Sequence, residues 1–352
     1  MGVVGVIANP MSGRDVRRLA ARASSQTPES KRDQVARAVV GAVAGGARRV
    51  LVMREPLGIS VGAVANLRLD AEIEVLDVGA RLDAGDTERA AVAMREAGCG
   101  ALVSLGGDGT QRAVARAWQG APLVPLSTGT NNVFPLHVEA TAAGCAAGLV
   151  ASGRVALEAV ARSSKCVRVE VEGGAPDLAL VDAVLLVGDH PGSLLPFDPA
   201  NLRRLVLARA EPAGCGPAAV GGLLDPLGDE TDAGLDVACA PPGRAPRRIL
   251  APLSPGLFRS TGVEAVRRLD LGEAVELAGP GLLAFDGDRS TTLAPGQRAR
   301  LSVVRDGPRV IDVAAALRAG ARTGALEDRS WRDALFDDPR GGTCCQGPAP
   351  AR

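Results

Sequence analysis

The residues best suited to chemistry in this chain lie in a glycine-rich stretch, ALVSLGGDGT, at positions 101–110. An apolar run typical of a buried strand ends there. Its glycines can adopt a positive φ, and they let bare backbone N–H groups approach an anion. The next residues, Gln111 to Trp118, have the pattern of a helix, whose amino-terminal end also attracts negative charge.

Asp108 lies among these amides. A carboxylate there repels a phosphate unless a metal ion or a reacting hydroxyl group lies beside it. The stretch therefore predicts phosphoryl transfer, although an ordinary Asp-Gly turn is the alternative. The residues predicted to surround the phosphates are Gly106, Gly107, Gly109 and Thr110.

Two further loops follow apolar runs and carry hydroxyl and amide side chains. The first ends the strand-like run 3–8, and Arg14 directly after it could meet a phosphate. The second follows the strand-like run 122–126 and offers hydrogen bonds to a ribose or a phosphate. Each loop alone could be a plain turn. Together they predict nucleotide contacts from Asn9, Ser12, Gly13, Arg14, Thr128, Gly129, Thr130, Asn131 and Asn132.

The first 153 residues have the pattern of a scaffold that could bring these loops together. Strand-like runs alternate with stretches of helical pattern at residues 31–45, 60–67, 87–97, 111–118 and 139–151. Asp86 or Thr87 is the expected N-cap of the third helix. The alternation predicts a doubly wound parallel sheet, in which loops after the strands share one edge. We therefore expect the three loops to converge on one cleft facing a second domain.

After Gly153 the pattern changes to short β-branched runs separated by Gly and Pro, one of them at residues 220–224. This predicts a mainly antiparallel β-sandwich. The predicted division is an α/β nucleotide-binding domain at 1–153, a β-rich acceptor-binding domain at 154–317 and a tail at 318–352. In the tail, Trp331 and Phe336 suit a last helix packed on the body or on a second subunit of a homo-oligomer, before a disordered end.

Composition argues against several classes of partner. The 40 basic and 40 acidic residues give a formal net charge of zero, and no basic block suggests nucleic acid. Seven cysteines without CxxC spacing and two histidines support neither a zinc site nor a disulfide framework, so we assign no metal ligands. No apolar run reaches about 18 residues and no leader pattern opens the chain, so we expect a cytoplasmic protein without a membrane partner.

GGDGT is the signature that NAD kinases share with the diacylglycerol and sphingoid-base lipid kinases, and the chain resembles this superfamily. The segments VGVIANPMSGRDVRRL, LGGDGTQRAVA and LSTGTNNVFP resemble the AcoX-like branch of the ATP-NAD kinases. The resemblance covers the first domain closely and the second loosely. It implies an NAD-kinase-like fold, ATP and Mg²⁺ as cofactors, and NAD as the acceptor. It also implies that Asp108 removes the proton of the ribose 2′-hydroxyl, giving NADP.

The resemblance also implies acceptor contacts in the second domain. NAD kinases carry an Asn-acid pair in an ALN(D/E) strand that holds the dinucleotide, and the similar segment here is Ala179-Leu180-Val181-Asp182. The acid is present as Asp182, but Val181 replaces the amide, and one neutral hydrogen bond contributes about 0.5–1.5 kcal/mol. The turn FDGD at 285–288 is similar to the acidic turn of lipid kinases and assigns Asp288 to the acceptor, with a plain hairpin as the alternative.

Two other functions stay open at this level. A lipid kinase would need an apolar acceptor groove and a basic rim, against which stands the presence of only two lysines, Lys31 and Lys165. A nucleotide-binding regulator without turnover is the second alternative, since Val181 departs from the NAD-kinase pattern. The sequence does not identify the acceptor, the phosphoryl donor or the oligomeric state.

Overall fold

The computed structural model describes residues 2–12, 27–128 and 132–327. The strands of this part are β1 (Val3–Ala8), β2 (Arg49–Met53), β3 (Glu72–Leu76), β4 (Ala101–Gly106), β5 (Pro122–Ser127), β6 (Ala161–Ser163), β7 (Cys166–Val171), β8 (Asp177–Ala179), β9 (Asp182–Leu186), β10 (Leu202–Leu207), β11 (Ala233–Ala240), β12 (Arg247–Ser254), β13 (Leu257–Asp270), β14 (Ala274–Ala278), β15 (Gly281–Phe285), β16 (Asp288–Leu293), β17 (Arg298–Val304) and β18 (Arg309–Ile311).

The helices of the same part are α1 (Pro28–Ala44), α2 (Ile59–Val64), α3 (Ala84–Glu96), α4 (Asp108–Ala117), α5 (Ala140–Ala151), α6 (Leu157–Val160), α7 (Pro217–Gly222) and α8 (Val313–Arg322). None of these helices has both the length and the apolar character needed to cross a bilayer.

The first sheet has the strand order β3-β2-β1-β4-β5-β18-β6. Its strands from β3 to β18 are parallel, and β6 is added antiparallel at the edge. The chain runs outward from β1 to β3 and then returns to β4 beside β1, which makes the β1/β4 boundary a topological switch point. Ligands of open α/β sheets bind in the crevice at such a point.

Helices cover both faces of this sheet. Val4 and Val6 of β1 pack in one apolar cluster with Val35 of α1 and Ala143 of α5, whereas Ile7 packs on the opposite face among residues of α3 and α4. All six residues of β1 are buried, as expected for a central parallel strand. The prediction of a doubly wound parallel α/β domain is confirmed.

The second part of the chain forms two mainly antiparallel sheets, with the orders β12-β13-β11-β10-β9-β15-β16 and β14-β17-β7-β8. Val206 and Leu283 of the first of these pack with Val169 and Leu301 of the second in one buried cluster. The predicted β-rich second domain is confirmed. The chain then returns to the first sheet through β18 and α8, so the division at residues 153 and 317 stays a prediction.

Three local predictions were wrong. The N-cap of α3 is Asp83, whose side chain accepts a hydrogen bond from the Asp86 N–H, while the Asp86 carboxylate accepts from two preceding loop N–H groups. Helix α4 begins at Asp108 instead of Gln111, because the Gly107 carbonyl already accepts from Thr110 and Gln111. Residues 217–222, overlapping the run read as a strand, form α7 with Pro217 in its first turn.

Candidate active site

The loops after β1, β4 and β5 converge at one edge of the first sheet. The Asn9 side-chain amide donates a hydrogen bond to Thr110 Oγ1 at 2.9 Å, and the Ser12 and Thr128 hydroxyl oxygens are 2.7 Å apart. The predicted convergence is therefore confirmed for the described parts of these loops. Five predicted contacts, Gly13, Arg14, Gly129, Thr130 and Asn131, lie outside the described residues.

The Asn9–Ser12 loop is held from two sides. Asn9 Oδ1 accepts hydrogen bonds from the N–H groups of Met11 and Ser12, a local turn that asparagine forms readily. Behind it, the buried Lys31 ammonium donates to the carbonyls of Asn9, Pro10 and Ser12. Sequence reasoning did not assign Lys31 to the site, and its rarity as one of two lysines was the only signal.

The glycines of the 106–109 loop provide space, and not unusual backbone conformation. None of Gly106, Gly107 and Gly109 has a positive φ, so that expectation was wrong. A Cβ at Gly106 would lie 2.3 Å from Thr110 Cβ, and one at Gly107 would lie 2.8 Å from Asn132 Oδ1. A Cβ at Gly109 would meet no described residue within 4 Å, so Gly109 faces open space at the start of α4 in the part of the chain that the structure describes.

Asp108 occupies the first turn of α4, and its carboxylate is directed at the segment after β5. Oδ1 accepts the Phe134 N–H at 2.8 Å and the Val133 N–H at 3.1 Å, while Oδ2 is 3.2 Å from the Val133 nitrogen. The helix has no side-chain cap. The unpaired N–H groups at such a helix start attract anions in general, and the phosphate contacts predicted for this loop stay a prediction.

Two more carboxylates from the second domain lie close to Asp108. Asp286 has a φ of +50° and accepts hydrogen bonds from the N–H groups of Leu180, Val181 and Asp182. Asp182 is 6% exposed, and its Oδ1 has no hydrogen-bond partner among the described residues. Three carboxylates thus share one poorly solvated junction between the domains. We call Asp108, Asp182 and Asp286 the carboxylate cluster.

Burial and mutual repulsion raise the pKa values of the cluster. Desolvation, followed by the charge of Asp286, raises the pKa of Asp108 to about 7. Desolvation also raises the pKa of Asp182 well above its usual value, and the charges of Asp286 and Asp108 add to this effect. The pKa of Asp286 is raised by desolvation, against which its three N–H donors and the charge of Arg112 act.

Two arginines compensate part of this negative charge. The guanidinium carbon of Arg209 lies 4.5 Å from the centroid of the Phe134 ring. Its Nη2 atom lies 3.1 Å from Oδ1 of Asp229. Arg112 on α4 is 4% exposed and donates to Leu178 O and to Asp177 across the domain junction. Sequence reasoning did not assign either arginine, because no motif marks them.

The FDGD turn contributes a different aspartate from the one predicted. The Asp288 side chain is 55% exposed, and its Oδ2 lies 3.3 Å from Nη1 of Arg112, at the rim of the junction. Asp286, two residues earlier, is the member of the turn that enters the carboxylate cluster. Val181 is 1% exposed and packs in the same apolar cluster as Phe134, so no polar side chain replaces the missing amide there. The acceptor roles of Asp182 and Asp288 stay predictions.

Within the described ranges, no group of three or more His, Cys, Asp or Glu side chains is arranged to hold a metal ion. Mg²⁺ usually binds through one or two carboxylates together with substrate phosphates, so the absence of a protein cage is compatible with Mg²⁺ arriving on a nucleotide. The side chains nearest such phosphates would be Asp108 and the loop hydroxyls of Ser12, Thr110 and Thr128.

Comparison with known proteins agrees with this geometry. Residues 4–155 match the model of the ATP-NAD kinase N-terminal domain, and residues 165–306 match that of the acetoin catabolism protein X C-terminal domain. Acetoin catabolism protein X of Cupriavidus necator is 35% identical over 334 residues, which cover 91% of this chain and 92% of that protein.

A solved structure shares the fold over nearly the whole chain. Yeast NADH kinase, crystallised with NADH, superposes with a TM-score of 0.54 and 14% sequence identity, covering 94% of this chain and 89% of that one. The similarity to acetoin catabolism protein X over most of the chain and the matches to the two domain models agree with this shared fold. The chain therefore belongs to the acetoin catabolism protein X family within the ATP-NAD kinase superfamily, and it is a kinase.

Proposed function

We propose that this kinase transfers the terminal phosphoryl group of ATP to a hydroxyl group of a small molecule, with Asp108 as the general base. The observation that carries the proposal is the position of Asp108. Its carboxylate lies at the uncapped start of α4, between the three converging loops and the two aspartates of the second domain.

The donor phosphates fit the edge of the first sheet. Gly109 leaves space at the start of α4 among the described residues, and the hydroxyls of Ser12, Thr110 and Thr128 lie in the three converging loops. Mg²⁺ bound to ATP would neutralise charge that develops on the transferred group. The chain itself contributes positioning by backbone amides and hydroxyls, which is the larger part of such catalysis.

The state of Asp108 suits proton removal near neutral pH. A base is most effective when its pKa lies near the working pH, and burial raises the pKa of Asp108 to about 7. Oδ1 accepts two backbone N–H groups that fix the carboxylate, whereas Oδ2 has one hydrogen bond to the described residues, at 3.2 Å. Oδ2 is therefore the oxygen we assign to the acceptor hydroxyl.

NAD is the acceptor we propose first. Family membership and the shared fold with a kinase crystallised with NADH support it, and Asp182 stands where the resemblance expects an acidic contact. Val181 lacks the hydrogen bond that an asparagine would supply, so weaker binding of the dinucleotide is expected, by about tenfold. The proposed partners are small nucleotides in the cytoplasm.

The test is turnover by purified protein with ATP, Mg²⁺ and a panel of NAD⁺, NADH, nucleosides and lipids. With the best acceptor, Asp108→Asn should lower kcat by at least about 10²-fold without loss of folding. Asp288→Asn is the matched control, because Asp288 is half-exposed at the rim, and its loss should be much smaller. The reverse order would transfer the base to the second domain. Turnover only with lipids would favour a lipid kinase, and no turnover with any acceptor would favour a regulator.

A further inference from the structure

Among the described residues, Arg209 is a cation whose charge acts on the proposed base, and three contacts fix it. It follows β10, and the N–H groups of Ala208 and Arg209 both point to the Val181 carbonyl, at 2.9 and 3.5 Å. Its side chain is 15% exposed, pairs with Asp229 at 3.1 Å and stacks on the Phe134 ring at 4.5 Å. The guanidinium is therefore held between the second domain and the segment that binds Asp108.

Phe134 connects Arg209 to Asp108 physically. The ring of Phe134 lies against the guanidinium, and the N–H of the same residue donates to Asp108 Oδ1 at 2.8 Å. A guanidinium over an aromatic face is attracted by the negative face of the ring, and partial desolvation strengthens this attraction. The contact thus restrains the backbone amide that orients the Asp108 carboxylate.

Charge gives a second connection. The groups that act on Asp108 are Asp286 from the turn after β15, Asp182 from β9 and Arg209 after β10. Arg112, the other nearby cation, is occupied by Asp177 and Asp288 and acts on Asp286. Among the described residues, Arg209 is therefore the cation whose field at Asp108 opposes the repulsion from the other two carboxylates.

We propose that Arg209 is a positioning residue for Asp108, which it orients through Phe134 and keeps available as a carboxylate through its charge, with Asp229 as its anchor. The orienting part concerns the folded protein alone. The catalytic consequence rests on the proposed function.

The direction of the effect follows from the signs of the charges. The pKa of Asp108 is about 7 with Arg209 in place, and the Arg209 charge lowers it. Removing that charge should raise the pKa by about 1 unit, the lower end of what an opposite charge does to a carboxyl group, because the ion pair that Arg209 makes is with Asp229. At pH 7 the base would then be mostly protonated, so the rate would fall about fivefold and would recover near pH 9.

The test is a titration of Asp108 itself, followed by ¹³C NMR of protein labelled at aspartate. The Asp108 signal is assigned by its absence in Asp108→Asn. Two neutral variants are used: Arg209→Met retains packing on Phe134, and Arg209→Gln retains a hydrogen bond to Asp229. We expect the midpoint near pH 7 in the parent and about 1 unit higher in whichever neutral variant folds. Arg209→Lys should restore most of the difference.

Arg305→Met is the matched control. Arg305 is 16% exposed and pairs with the same Asp229, but its carboxylate contacts are Asp229 and Asp232 and do not include Asp108. In Arg305→Met the midpoint of the Asp108 titration should stay within about 0.3 pH units of the parent value. An Asp108 midpoint near 4 in the parent, or an unchanged midpoint in a folded neutral Arg209 variant, would overturn the proposal.

Kinetics separate this proposal from the proposed function. If an acceptor is found, the acid limb of kcat/KM should move to higher pH in the neutral Arg209 variants and stay in place in Arg305→Met. If no acceptor is turned over by the parent, the proposed function fails while the NMR titration still decides whether Arg209 controls Asp108.

Discussion

Different kinds of interaction hold the two sides of the candidate site. In the loops after β1, β4 and β5, neutral groups form the described contacts between loops, and the buried Lys31 contacts three backbone carbonyls. At the junction with the second domain, the carboxylate cluster is balanced by Arg209 and Arg112. The donor side therefore depends on space and amide geometry, and the acceptor side depends on charge.

The difference matters because the two kinds of interaction fail differently. A substitution that causes a steric clash in a loop displaces neighbouring residues but leaves no buried charge without a partner. A missing member of a buried charge cluster leaves its partners uncompensated, which costs several kcal/mol. Variants of the second-domain side should accordingly be the more destructive ones.

The largest effect is expected from the FDGD turn, where two aspartates lie two residues apart. Asp286→Ala leaves the N–H groups of Leu180, Val181 and Asp182 without their acceptor, and it places alanine at a φ of +50°. We expect a loss of about 2–3 kcal/mol in unfolding free energy, after relief of repulsion within the cluster. Asp288 is half-exposed, so Asp288→Ala should lower the unfolding free energy by less than about 1 kcal/mol. Urea denaturation measures both, and equal losses would remove the distinction between the two aspartates.

A smaller effect is expected at the domain junction. Arg112 is 4% exposed and bonds Leu178 O and Asp177, so Arg112→Met should cost about 2 kcal/mol in unfolding free energy. Arg116, one turn later on the same helix, is 45% exposed and pairs with Asp177 at 3.5 Å. Arg116→Met should cost less than about 0.5 kcal/mol. If Arg116 proved as costly as Arg112, surface charge and not the buried junction would hold the domains together.

The donor side should respond to volume. Gly109 faces open space and lies in the first turn of α4, so Gly109→Ala should leave thermal stability unchanged or slightly higher. If phosphates occupy that space, the same methyl group should weaken ATP binding by about tenfold in calorimetry. Gly106→Ala should have the opposite effect on stability. Its Cβ would lie 2.3 Å from Thr110 Cβ, so this variant should lower thermal stability. Unchanged ATP affinity in Gly109→Ala would move the phosphates elsewhere.

The same contrast explains what could be predicted from sequence. The parallel sheet and its three loops were predictable, because each strand and its glycine turn are contiguous in the chain and the strand order brings their ends together. Asp286, Arg209 and Lys31 were not, because each acts on residues that lie 19 or more positions away, through contacts that no local pattern encodes. In the FDGD turn, choosing between two aspartates needed the positive φ at Asp286.

The stability of the protein should depend on pH through Asp108. Its folded-state pKa is raised from the ordinary value of 3.8 to about 7. Below about pH 4 the carboxyl group is protonated in both the folded and the unfolded state and contributes nothing. Between about pH 4 and 7 the unfolded chain loses this proton first, so the folded state is progressively disfavoured as pH rises. Above pH 7 the penalty is complete.

Asp108→Asn should remove this penalty, because a neutral amide cannot ionise while its oxygen can still accept the Phe134 N–H that Oδ1 accepts in the parent. The variant should therefore melt several degrees above the parent at pH 8, with a much smaller gain at pH 4.5. Asp288→Asn, outside the cluster, should show no such pH-dependent gain. Melting curves at the two pH values measure this. If the variant were instead less stable than the parent at pH 8, the Asp108 carboxylate would stabilise the fold. The destabilisation that we expect from buried charge in the carboxylate cluster would then arise at Asp182 or Asp286.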